Sequence, residues 1–167
     1  ALRIYQDILA IDPEYPQALQ DLGMIQFDEG NISEVILLLK KTTQHDDKRP
    51  DFHNNLGTDL KASGDLAAAE KAFRKALTLD RNLVPALVNI GSLLFERGRI
   101  PAALKALKRA IELAPENSTA LSSYAEANKA NGDIMEALNS QLQAAKVDPL
   151  ADFIWLNLAN THMDLEQ

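Results

Sequence analysis

Three histidines, His45, His53 and His162, are the side chains of this chain best suited to moving a proton or holding a metal near neutral pH. Either task needs them brought together. The chain repeats with a period of 34 residues, and the three histidines fall at three different phases of it, so stacking the repeats does not gather them. With no cysteine there is no thiolate nucleophile, thiolate metal site or disulfide framework. Single glycines, spread along the chain, make no phosphate-cradling loop, and no Ser, His and acid arrangement stands above background. The expectation is a non-catalytic chain without metal or cofactor. What remains is binding chemistry. Asn55 and Asn89 lie one period apart, with Asn157 two periods beyond Asn89. An amide that both donates and accepts can pair with a peptide backbone whatever the ligand's side chains are.

The elements that must position these amides are copies of one unit. His53-Asn54-Asn55-Leu56-Gly57 is followed by Gly64-Asp65-Leu66 and then by Ala69, Phe73 and Ala76. One period later the corresponding residues are Gly91, Gly98, Ile100, Ala103, Leu107 and Ala110. One period earlier they are Gly23, Gly30, Ile32, Val35, Leu39 and Thr42, and the last set is Ala125, Gly132, Ile134, Ala137, Gln141 and Ala144. No insertion breaks the register. A period of this length is the signature of a stacked repeat.

Within each unit the pattern predicts two antiparallel helices: apolar residues at helical spacing, a glycine able to take positive φ, a polar residue, then a second helix. Pro16, Pro50 and Pro85 fall in first turns, Pro101 starts a second helix, and Pro13, Pro115 and Pro149 follow helix ends. Thr42 and Asp47 stand where other units have alanine and proline. The second helix of that unit, near 33 to 44, is therefore expected to be the most loosely packed.

Composition bounds the partners. At 46% hydrophobic but only 5% aromatic, burial must rely on Ala and Leu and on close helix approach. A net charge of -7 disfavours nucleic acid, which demands clustered Lys and Arg. The recurrent Lys40, Lys41, Lys71, Arg74, Lys75, Lys105, Lys108 and Arg109 are expected to answer the helix dipole, with Glu34, Glu70, Glu112 and Glu136 toward the opposite ends. There is no run of about 18 apolar residues to insert in a membrane and no signal peptide. A cytoplasmic setting is expected. The start at Ala1 without methionine suggests a fragment of a longer protein.

These residues resemble the tetratricopeptide repeat family. Its pattern appears in 84 to 117 as Leu87, Ile90, Gly91, Leu94, Ala103, Leu107, Ala110 and Pro115, and in the last unit as Trp155, Leu158 and Ala159. Departures are His53, Gln141, Asp47 and Arg81. The resemblance implies an all-α solenoid of antiparallel helix pairs stacked into a right-handed superhelix. It divides the chain into a lone second helix (1–15), complete repeats at 16–49, 50–83, 84–117 and 118–151, and a lone first helix (152–167). It also implies an inner, concave face built by first helices that receives an extended peptide. Positions two, five, six, nine, twelve and thirteen of each unit place Asp51, Asn54, Asn55, Thr58, Asn89, Ser92, Glu96, Glu126 and Asn157 there, with Asp21, Ser122 and Ser123. This mildly acidic groove should favour neutral-to-basic segments. The basic residues that clamp carboxylate-terminal chaperone tails in some members have no counterpart at these places.

The leading reading is thus a scaffold or adaptor that binds a protein segment. A second is the substrate-recognition arm of a larger enzyme, because the asparagines are similar to the ladder in the repeat arm of O-linked N-acetylglucosamine transferase. A third is a self-assembling module. The end helix with Phe153, Trp155, Leu156 and Met163 is too apolar for a solvating cap and is expected to join copies into a homo-oligomer.

Overall fold

The computed structural model describes residues 2–13, 15–28, 31, 36–41, 48–150, 155 and 157. The described helices are α1 (Leu2–Ile11), α2 (Pro16–Asp28), α3 (36–41), α4 (Pro50–Ala62), α5 (Leu66–Leu79), α6 (Val84–Glu96), α7 (Ile100–Leu113), α8 (Ser118–Asn131) and α9 (Ile134–Val147). First helices begin at Pro16, Pro50, Val84 and Ser118, and second helices at Leu66, Ile100 and Ile134, so each start lies 34 residues after the one before it. The fold is all-α, a solenoid of helix pairs.

The same backbone bonds end these helices at each recurrence. Where a first helix stops, an amide two or three residues past its end reaches back five residues: Asn31 to Gln26, Asp65 to Leu60, Arg99 to Leu94 and Asp133 to Asn128, each at 2.9 Å. That bond needs the intervening residue in the left-handed region, and Gly64, Gly98 and Gly132 have φ of 87, 70 and 89°. Asp65 and Asn117 then cap α5 and α8, accepting from the amides of Ala68 at 3.0 Å and Ala120 at 2.9 Å. Local sequence thus sets the turns before any packing does.

By contact the chain forms two compact units, 1–86 and 87–167. In the first, α1 packs on α2 and α4 on α5; in the second, α7 packs on α8 and α8 on α9. Close approach is set by a small residue facing a large one. A Cβ added to Gly57 would lie 2.6 Å from Phe73 Cδ1 and Cε1, and one added to Gly91 would lie 2.6 Å from Leu107 Cγ. Phe73 and Leu107 are fully buried. These two contacts hold α4 against α5 and α6 against α7.

The segment expected to be loose lies outside the described residues except for 36–41, where Leu38 and Leu39 are buried. The basic residues of α5 and α7 lie mostly toward the C-terminal halves of these helices but stop short of the last turns, and Glu112 sits near the end of α7, not nearer its start as expected. Their partners are instead carboxylates one turn away, Arg74 on Glu70 at 2.8 Å and Arg109 on Glu112 at 3.1 Å. Gln141 stands where other repeats carry Leu or Phe. The side chain is 3% exposed, and its Oε1 has no hydrogen-bond partner among the described residues.

Candidate functional site

The exposed side of each first helix is narrower than the sequence suggested. Along α4, Phe52, His53, Asn54, Leu56, Gly57 and Leu60 are buried; of the open or half-open residues, which also include Pro50 and Lys61, Asp51, Asn55, Thr58, Asp59 and Ala62 form a stripe at helical spacing. Asn54 was expected on this stripe and is not: it is 9% exposed. Its counterparts Val88 and Ser122 are also buried, so the fifth position of the unit faces the packed side in all three repeats. One helical step carries a side chain through about 100°, enough to separate Asn54 from Asn55.

The sixth and ninth positions remain open or half-open. Asn55, Asn89 and Ser123 are half-buried, Thr58 and Glu126 are exposed, and Ser92 is half-buried. Within the second unit some of them meet: Ser92 Oγ lies 3.5 Å from Ser123 Oγ, and Asn157 Nδ2 donates to Glu126 Oε1 at 3.5 Å. Glu96, at the end of α6, is exposed. Thr58 spends its hydroxyl proton on the carbonyl of Asn54 at 3.2 Å. Asn55, by contrast, makes no side-chain hydrogen bond among the described residues.

The acidic residues divide by environment. Asp51 receives Arg49 Nε at 3.0 Å and Nη2 at 2.7 Å, while the same guanidinium lies 4.4 Å from the centre of the Phe52 ring. The hydrogen bond from Arg49 holds the Asp51 carboxyl below its usual range. Asp59 is the opposite case and escaped the sequence reading. Part-buried, with no bonded or charged partner among the described residues, its carboxyl is pushed up to about 6 by desolvation. A signal was present in the period: the equivalent residues are Ile25, Leu93 and Ala127.

The sign of that shift gives a prediction. Folded Asp59 holds its proton more tightly than unfolded Asp59, so between about pH 4 and 6 the folded state carries the extra proton, and stability falls as pH rises through that window. Above it the cost is constant, about 1 kcal/mol once the exposed part of the group is screened by water. Asp59→Asn should therefore match the parent near pH 4 and exceed it at pH 7, as thermal unfolding at the two values would measure. A difference independent of pH would remove burial of the charge as its cause.

Cavities of about 570 and 710 Å³ open on the second unit and share Lys108, Tyr124 and Glu136. The first is also walled by Ile111, Leu121 and Leu142. They involve second-helix residues and lie apart from the asparagines. Of the histidines only His53 is described, and it is buried. Among the described residues no three His, Asp or Glu side chains are grouped to hold a metal ion. No helix among them is long and apolar enough to cross a membrane.

Family models of the tetratricopeptide repeat match residues 54–118, 88–147 and 1–56. The chain belongs to the tetratricopeptide repeat family. Its tetratricopeptide relatives include tetratricopeptide repeat protein 8 of Caenorhabditis elegans, 33% identical over 105 residues that cover 60% of this chain and 20% of the relative. A probable UDP-N-acetylglucosamine–peptide N-acetylglucosaminyltransferase, SPINDLY, of Hordeum vulgare is 28% identical over 106 residues, 58% of this chain and 11% of that protein. The chain thus spans a fifth or less of these relatives' lengths. Among solved structures, YrrB, described as a tetratricopeptide protein with an unusual peptide-binding site, superposes with a TM-score of 0.76 at 19% identity, covering 92% of this chain and 79% of YrrB. That likeness bears on the fold.

Proposed function

We propose that this tetratricopeptide array is a non-catalytic scaffold or adaptor that binds an extended, neutral-to-basic segment of another protein along the exposed stripes of its first helices. The observation that carries the reading is Asn55: a half-buried amide at the centre of such a stripe, with neither its donor nor its acceptor spent among the described residues. Asn89 occupies the equivalent place one period on, and Asn157 a later one. Asp51 and Thr58 in the first unit, and Ser92, Glu96 and Glu126 in the second, are the other polar side chains proposed for these stripes. Asn54, being buried, is dropped from it. A relative in the same fold, YrrB, is described as binding peptide, which supports the mode without naming a ligand.

The test is a pair of alanines. Asn55→Ala with Asn89→Ala should weaken a peptide selected against the parent by about tenfold, the loss expected when one or two net hydrogen bonds go. The melting temperature should hardly move. Undiminished affinity would remove the amides from the mechanism, and a mutant that fails to fold would make them structural.

Two observations favour further readings. Similarity to SPINDLY supports the array as the recognition arm of a larger glycosyltransferase-like protein, which sequence flanking these residues would decide. At the other end, Trp155 is 48% and Leu150 90% exposed, although the Trp155 indole N–H donates to Pro149 O at 2.9 Å. The remaining apolar residues of that end lie outside the described ones. Surface of this kind finds partners, and self-association is expected to appear as a molecular mass that rises with concentration.

A further inference from the structure

Asp59 is where the chain departs from what its own fold asks for. Equivalent first-helix residues are Leu93 and Ala127, both fully shielded from solvent, and Ile25. An apolar side chain therefore serves packing at this place, and a carboxylate does not. The stripe's other carboxylate in the same unit is already satisfied, since Arg49 holds Asp51 through two hydrogen bonds. Nothing among the described residues does the same for Asp59. It lies one turn beyond Asn55 and next to Thr58, at the half-buried edge of the surface proposed above to take a peptide.

An acid left part-buried and unpaired is more costly than the same acid in water, and the cost is relieved when a cation arrives with hydrogen bonds to give. A backbone amide donor could reach Asn55 at the same time as a side chain from the next residue or two of the ligand reached Asp59. We propose that Asp59 is the anchor for a lysine or arginine side chain of the bound segment, paired with Asn55 as its backbone contact. This rests on the peptide-binding reading and narrows it. The acidity of the surface as a whole gives only a diffuse preference, whereas a carboxylate with no partner among the described residues calls for a cation at one place in the ligand.

The probe is a library of seven-residue peptides, acetylated and amidated, randomised at every position and selected on the parent protein. Selected sequences should share a lysine or arginine at one position. Replacing that residue by norleucine should weaken binding to the parent about tenfold or more and should leave binding to Asp59→Asn unchanged, because the cation's partner is already gone. Asp51→Asn should keep the full effect of norleucine. Asp59→Asn is nearly isosteric, and its unfolding curve, at or above the parent's, shows that the fold is intact. If norleucine weakens binding equally to parent and Asp59→Asn, the cation pairs elsewhere and the assignment is overturned. Selected peptides without a shared cation overturn it as well, while leaving peptide binding in place. A library from which the parent selects nothing overturns both.

Discussion

Phe73→Ala is expected to cost about 3 to 5 kcal/mol, the range for deleting a fully buried aromatic ring that its surroundings cannot replace. Phe73 is 0% exposed and closes directly over Gly57, so the void would open between α5 and this glycine of α4. The informative experiment is the cycle with Gly57→Ala. In the parent the new methyl would lie 2.6 Å from two ring carbons, closer than carbon atoms tolerate, and should cost about 1 to 3 kcal/mol. In the Phe73→Ala background the ring is gone and only helix propensity remains, which favours alanine over glycine by about 1 kcal/mol. The same substitution should therefore change sign. Chemical denaturation of the four proteins would measure it, and a Gly57→Ala penalty that persists without the ring would place the demand for glycine in the backbone.

Gln141→Leu is expected to stabilise the chain by about 2 to 4 kcal/mol. The side chain is almost wholly buried, its carbonyl oxygen without a partner among the described residues, and an unmet acceptor in such a place costs about 1 to 3 kcal/mol. Leucine, which the neighbouring repeat carries at the same place as Leu107, removes the acceptor and restores apolar contact. Denaturant midpoint at constant slope is the readout. A loss of stability would show that the amide serves the fold through its nitrogen.

The period, the helix starts and the glycine turns were legible in the sequence because each depends on residues a few positions apart: Gly64 with Asp65, Gly132 with Asp133. The stripe was less so. Asn54 and Asn55 are the same residue type at adjacent places, and only the helices packed around α4 decide that one is buried and the other open. For Asp59 the difficulty was different. A lone carboxylate on a helix looks solvated until its counterparts Leu93 and Ala127 are seen to be fully enclosed. Gln141 announced itself as a departure from the repeat pattern, but whether it turned outward or stayed inside was a matter of packing.

The pairing of small with large residues has a consequence for how such an array can change over generations. Gly57 answers Phe73 and Gly91 answers Leu107, while the third hairpin carries Ala125 on its first helix and Gln141 on its second. A recombination joining α4 to α9 would set a glycine where α9 comes with Ala125, and one joining α8 to α5 would drive Phe73 toward an alanine methyl. Exchange of whole hairpins keeps both halves of each fit. The heritable module is thus the pair of helices moved together, and a gene that lengthens by copying 34 codons beginning at a first helix preserves what copying one helix would lose.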